Sequence, residues 1–189
     1  AHPARGHRYR PYPDRMANQA AAGHEEEFHD DIIYPHTIPF VLVHLACLGA
    51  LWTGVTVQAL VVCAVLYVVR MFGVTAGYHR YFSHRSFKTS RAGQFVLAWL
   101  AQSSAQRGAM WWAAVHRHHH LHSDTDEDVH SPRHRGFLYS HVGWVFDRRH
   151  EETDVEAVPD LARYPEMRWL DKHQLVPAVV LAVACFAFG

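Results

Sequence analysis

Read for hydrophobic and polar positions, the chain falls into blocks of sharply different character. Residues 1–31 are polar, with Pro, Arg and Ala first and then the acidic stretch HEEEFHDD. No apolar core follows a basic start, so this is not a secretory signal, and a mobile polar tail is expected over 1–31. From Ile38 the pattern reverses. IPFVLVHLACLGALW (38–52) carries no Lys, Arg, Asp or Glu, and VTVQALVVCAVLYVV (55–69) follows after Thr53-Gly54. Each run is about 15 residues, short of the roughly 20 that span a bilayer as a helix. Extension back to Ile32 and on to Tyr78 reaches that length, and takes in Pro35, His36, Pro39 and Arg70. A soluble helix keeps one wet face, and these runs keep none. The expectation is a transmembrane helical hairpin over 32–78, turning near Gly49–Gly54. A soluble hairpin of two buried helices is the competing reading.

Further along, AGQFVLAWLAQSSA (92–105) is apolar but too short to cross, which predicts a short helix lying in the interface or packed on the hairpin. Residues 106–173 are polar and rich in His and Trp, and a third apolar run begins at Leu175. The chain is therefore expected to be all-α: a membrane hairpin, a His-rich helical cap over 79–173, and over 174–189 the start of a third transmembrane helix. The last feature reads as a fragment of a longer protein. Charge placement orients it. The turn near Gly49–Gly54 is uncharged, while Arg5, Arg8, Arg10 and Arg15 flank one side and Arg80, Arg85, Lys88 and Arg91 the other. By the positive-inside rule both flanks, and the cap with them, are cytoplasmic.

Composition changes this picture in one respect. Lys+Arg and Asp+Glu balance at 18 each, which gives no reason to expect a nucleic-acid partner, but His also numbers 18. Cys47, Cys63 and Cys185 lie inside apolar runs without a CxxC, so neither a zinc knuckle nor a disulfide framework is indicated. Buried, reduced thiols are expected.

The histidines cluster. On a helix, His116, His119 and His120 fall within an arc of about 100° on one face, and His118 points to the opposite side. His79 and His84 are about 140° apart on a regular helix: either the helix ends between them or they serve different ions. His44 sits inside the first apolar run, as a hydrogen-bonded core residue or a group facing the bundle interior. His2, His7, His24, His29, His150 and His173 read as solvated side chains. All-imidazole ligation suits Zn, Fe, Cu or Ni. With cysteine ligands and HExxH both lacking, and carboxylates nearby at a membrane surface, redox-active iron is favoured over zinc. The acidic run HSDTDEDVH (122–130) supplies Asp124, Asp126, Glu127 and Asp128, with Asp124 and Asp128 as the candidates. Carboxylates so placed can hydrogen-bond the far nitrogen of a ligating imidazole; a solvated acidic loop is the equal alternative.

Three segments, GYHRYFSHRSFK (77–88), HRHHHLHSDTDEDVHSP (116–132) and RGFLYSHVGWVF (135–146), resemble the membrane acyl-CoA desaturases of the stearoyl-CoA type, over about residues 35–185. The first matches that family's HxxxxH box, the second its HxxHH box, and HVGW follows at the family's spacing. The resemblance implies a membrane enzyme with two iron ions that uses molecular oxygen and two electrons. It would introduce a cis double bond, commonly at Δ9, into a fatty acyl-CoA or similar acyl thioester. It further implies His79, His84, His116, His119 and His120 as iron ligands, Arg148 and Arg149 facing the CoA phosphates, Trp112 and Trp144 along the acyl channel, and a ferredoxin or cytochrome as electron donor. A solvated basic turn and interface anchors are the plain readings of those Arg and Trp residues. Two departures stand out. Ala114 and Val115 replace an Arg-Asp pair of the animal enzymes, and a second HxxHH is missing, so five histidines fall short of two irons' coordination. The runner-up is a membrane di-iron hydroxylase of the same box type. A non-enzymatic metal-binding or transport protein, and last a soluble His-rich module, give HVGW no role.

Overall fold

In the computed structural model, residues 34–128, 130–147 and 150–188 are described. The expected tail, the first residues of the hairpin, and Arg148 and Arg149 lie outside the described residues. Every regular element among the described residues is a helix. The apolar runs become α1 (Tyr34–Cys47), the single turn α2 (Ala50–Thr53) and α3 (Val57–Phe72). Gly54, at φ +74°, provides the left-handed residue that breaks α2 from α3. The Thr56 hydroxyl then caps α3 by accepting the Ala59 N–H at 3.1 Å.

Past Phe72 the rod does not stop. It continues as an eleven-residue π-helix, Gly73–Ser83, making one 27-residue helix from Val57 to Ser83. Among the described residues this is the helix long and apolar enough to cross a membrane. Leu60, Val61, Val65 and Val68 all stand exposed on it, as lipid-facing residues do. Cys47, Cys63 and Cys185, expected inside a core, are exposed free thiols instead. The faces that hold them are apolar because they turn outward from the protein, so hydrophobic context in this chain does not equal burial. His44 likewise sits on exposed α1 surface, its Nδ1 donating to the Phe40 carbonyl one turn back at 2.7 Å.

The cap packs on the π-helix. Ser90 caps α4 (Arg91–Gln102) by accepting the Gly93 N–H at 3.1 Å, and α4 lies against Gly73 and Gly77. A Cβ on Gly73 would meet Ala101 N at 2.8 Å and the Leu100 carbonyl carbon at 2.9 Å, and one on Gly77 would meet Leu97 O at 3.2 Å. Small residues let two helix backbones touch, and here Gly73, Gly77 and Ala101 form that contact. α5 (Ala109–Leu121) packs on the same π-helix, and α8 (Pro159–Ala162) and α9 (Pro165–Lys172) close the layer. Tyr78, Phe82, Ala98, Met110, Leu161 and Leu170 are buried between them. Between α5 and α8 run the short helices α6 (Pro132–Arg135) and α7 (Phe137–His141) and a 3₁₀ turn, Gly143–Phe146. That turn meets α1 through Phe40 and Phe146, 5.5 Å apart edge to face.

Gln102, fully buried, ties the layer together. Its Nε2 donates to the carbonyls of Leu170 (3.2 Å) and Gln174 (3.3 Å), while its Oε1 accepts the Ala109 N–H at 3.3 Å. Those carbonyls lie where α9 gives way to α10 (Val176–Phe188) across a 68° bend, so the amide takes up polar groups that the bend frees. Replacing Gly73 by Ala forces a methyl onto the α4 backbone, and a loss of about 1–3 kcal/mol in stability is expected. Gly77→Ala, with a looser contact and a gain in helix propensity, is expected to lose less. Thermal unfolding of the two variants in detergent checks that order; equal stability of wild type and Gly73→Ala contradicts it.

Candidate metal centre

The π-helix decides where the first histidine pair points. In an α-helix each N–H bonds four residues back; in a π-helix it bonds five back, so residues five apart stack on one face. The His84 N–H donates to the His79 carbonyl at 3.0 Å, and the Ser83 hydroxyl repeats the same interval by donating to the Tyr78 carbonyl at 2.8 Å. The two Nε2 atoms consequently approach to 3.1 Å. The sequence left two options for this pair, a helix end or separate ions. The helix changes its hydrogen-bond interval and then ends at Ser83, with His84 at its C-cap. Arg85, at φ +52°, then turns the chain out of the helix.

The second box arrives on α5. His116 and His120 are one turn apart with their Nε2 atoms 3.1 Å from each other. Against the first pair, the His79 and His116 rings are 4.9 Å apart between centroids, and those of His84 and His120 4.6 Å. One donor nitrogen from each of the four lies within 4.8 Å of the others. Imidazole nitrogens sharing one ion at about 2.0–2.1 Å stand roughly 3 Å apart when adjacent, which both pairs match. An all-imidazole set of this kind fits a transition metal and would suit neither Mg nor Ca. Burial, reinforced by the neighbouring rings of His120, His79, His119 and His84, pushes the His116 pKa down to about 3. Its ring is thus neutral and free to ligate at neutral pH.

His119 stands beside the four rather than among them, its ring 5.9 Å from His116 and 5.4 Å from His120. Its Nδ1 donates to Asp128 Oδ1 at 2.7 Å, which fixes the tautomer and leaves the Nε2 lone pair available. Asp128 is buried. Burial alone would raise its pKa, but the Asp124 backbone N–H, the His119 ring and the His130 N–H outweigh burial and hold the carboxyl below its usual range. Asp124 supports Asp128 through its backbone N–H at 2.9 Å; its own φ is +60°. His130, absent from the set singled out in the sequence, packs edge-on to His119 at 4.9 Å and to Trp144 at 4.5 Å. Trp144 in turn stacks on Trp111 at 5.6 Å. Trp112 lies between Tyr78 and His116, stacked on both at 5.3 and 4.6 Å. Trp144 of the HVGW segment therefore reaches the second box through His130.

A charged brace joins the two boxes. Arg117, inside HRHHH, donates to the Phe82 carbonyl at 2.5 Å and to both oxygens of Asp160 at 2.8 and 3.0 Å. Arg85 reaches the same carboxylate at 3.0 Å. Burial raises the Asp160 pKa, yet the two guanidinium groups prevail and keep it below the ordinary value. A cleft of about 340 Å³ opens here between Ser83, His84, Arg85, Arg117, His120 and Leu121. Asp160 lies far from either box in sequence, and no local signal marks it. On the far face of α5, His118 turns away from the four, toward His122 and Glu127.

Comparisons with known proteins place the chain in a family. The family model described as fatty acid desaturase matches residues 55–189. The chain is 35% identical over 151 residues to the acyl-CoA Delta(11) desaturase of Choristoneura rosaceana, covering 76% of this chain and 45% of that protein. Stearoyl-CoA desaturase 5 of Bos taurus is 33% identical over 172 residues, 88% of this chain and 49% of the relative. The sn-1 stearoyl-lipid 9-desaturase of Anabaena variabilis is 31% identical over 165 residues, 84% and 59% respectively. The chain spans about half the length of the curated relatives it matches.

The depressed His116 pKa has a stability consequence. Unfolded, the ring titrates near 6.5; folded, near 3. Between those values the unfolded chain binds the extra proton, so stability is complete above about pH 6.5 and falls as pH drops through the window. The unfolding midpoint of the metal-free chain is expected to fall over that range, and less steeply in His116→Gln. Identical pH slopes for the two chains contradict the assignment.

Proposed function

Because this chain belongs to the fatty acid desaturase family, we propose that it carries the histidine centre of an oxygen-dependent, membrane-bound acyl desaturase. The reaction is removal of two hydrogens from adjacent methylenes of a saturated acyl thioester, acyl-CoA first, to leave a cis double bond, at Δ9 as is common in the family. The observation that supports this most is the convergence of His79, His84, His116 and His120 from two separate boxes onto one point.

In this reading the four imidazoles hold one iron and His119, oriented by Asp128, serves a second. Iron with molecular oxygen supplies the oxidising power that an unactivated methylene requires, since such a C–H is too weakly acidic for proton abstraction. The chain's own residues do the rest. Asp128 accepts the His119 Nδ1–H and so presents Nε2 as the ligating atom, Arg117 and Asp160 hold the two boxes in register, and Trp112 and Trp144 bound the apolar space where the acyl chain is positioned. The cap lies on the cytoplasmic face, where a ferredoxin or cytochrome delivers electrons one at a time, and Arg148 and Arg149 meet the phosphates of CoA.

A lipid-linked acyl chain is the second reading, and one observation favours it. Ala114 is buried and Val115 half-buried in α5, where the animal enzymes that this chain resembles carry Arg-Asp, and the stearoyl-lipid desaturase of Anabaena variabilis is similar to nearly the same degree. Incubating the intact protein with labelled acyl-CoA and with labelled acyl-lipid separates the two.

His84→Ala and His120→Ala in the intact protein are expected to lower bound iron and abolish alkene formation; full iron and activity in both refute the ligand set. Asp128→Asn keeps the shape but removes the charge that orients His119, and a 10–100-fold loss of metal affinity or activity is expected. A hydroxylated product instead of an alkene assigns the chain to the hydroxylases that use the same boxes.

A further inference from the structure

The far face of α5 carries a second donor set to which desaturation gives no role. His118 and His122 are one helical turn apart with their rings stacked, centroids 4.2 Å apart and planes 27° from parallel. After α5 the acidic turn folds back, so that Glu127 Oε2 stands 3.2 Å from His122 Nε2 and 3.8 Å from His118 Nε2. One donor atom from each of the three lies within 4.8 Å of the other two. From this geometry we propose that His118, His122 and Glu127 form a separate site for a borderline divalent ion, zinc above all, with water completing its coordination.

Four features of the chain support the site. Two imidazoles and one carboxylate suit zinc, and the nitrogens disfavour Mg and Ca, which take oxygen. Donors at about 2.0–2.2 Å from a tetrahedral ion lie roughly 3.3 Å apart, close to the 3.2 and 3.8 Å already present. His122 Nδ1 donates to the His118 carbonyl at 3.1 Å. That bond puts a proton on Nδ1, so Nε2, the nitrogen facing Glu127, is the one that would ligate, the arrangement a ligating histidine normally has. Finally, the three groups gather at the C-terminal end of α5, where the helix dipole favours a cation.

The site also has a place in the architecture. Glu127 directly precedes Asp128, and the turn between them and the helix is already laced by Thr125 N–H to the His122 carbonyl (3.0 Å) and Asp128 N–H to the Thr125 carbonyl (3.1 Å). An ion bridging His118, His122 and Glu127 clamps this turn to α5, and so clamps the segment that presents Asp128 to His119. The proposal does not depend on desaturation, because none of its three ligands belongs to the four-histidine group.

The test counts zinc. The full chain is purified in detergent, stripped with a chelator and dialysed against low-micromolar Zn²⁺, alongside Glu127→Gln, His122→Gln and the His84→Ala/His120→Ala double variant. Glu127→Gln and His122→Gln are each expected to bind one zinc fewer than wild type. The double variant is expected to keep that zinc and lose it only when Glu127→Gln is added. Should His122→Gln lose helix by circular dichroism, Glu127→Gln, on an exposed turn, decides alone. Undiminished zinc stoichiometry and affinity in Glu127→Gln overturn the site and show a simple His–Glu ion pair. Failure of the desaturase reading appears elsewhere, as iron retained without the boxes, and leaves this count unchanged.

Discussion

One hydrogen-bond interval governs this structure. At the end of the long apolar helix the backbone bonds five residues back instead of four, as the 3.0 Å contact from the His84 N–H to the His79 carbonyl records. On an α-helix the two imidazoles of HxxxxH diverge, and no rotamer choice on one of them brings both to a common ion. The π interval stacks them. A π-helix has poorer packing of its own backbone and persists where its surroundings hold it, commonly at functional sites. Here the holding is done by α4, whose backbone lies against Gly73 and Gly77 closely enough that a Cβ on Gly73 would fall 2.8 Å from a backbone nitrogen, and by the Ser83 hydroxyl, which repeats the five-residue step.

The second box depends on that platform. α5 packs against the π-helix through Tyr78 and Trp112, stacked 5.3 Å apart, and this contact brings His116 under His79. Arg117 and Asp160 then fix the axial position by spanning from α5 to the Phe82 carbonyl and α8. Around the outer histidine the logic is electrostatic. A buried, ionised Asp128 needs several donors to offset its desolvation, and it finds them in two backbone N–H groups and the His119 ring. The cost of burying that carboxylate is thereby tied to the orientation of a single imidazole. The Trp144–His130 contact at 4.5 Å, with His130 in turn 4.9 Å from His119, joins the HVGW segment to the second box.

What could be read along the chain follows from what each pattern encodes. Uninterrupted apolarity over 55–69 marked the long helix, and the i, i+4 interval of His116 and His120 placed both rings on one face, because both signals are local. The opposite heading of His118 was legible for the same reason. The geometry of His79 and His84 was not, since the choice between four- and five-residue bonding is made by the helix packed alongside, not by the residues between them. Asp160, 76 positions after His84, and His130, reached through a folded acidic turn, belong to the site by tertiary contact alone. The three cysteines misled in the opposite sense: apolar neighbours signalled a core, yet all three are exposed.

X-ray absorption at the iron edge of the intact, iron-loaded protein tests the central claim most directly. The account predicts a nitrogen-dominated shell with imidazole outer scattering that weakens when His79 is replaced, because only the five-residue interval brings that ring to the ion. An oxygen-dominated shell, or a spectrum indifferent to His79, would contradict it.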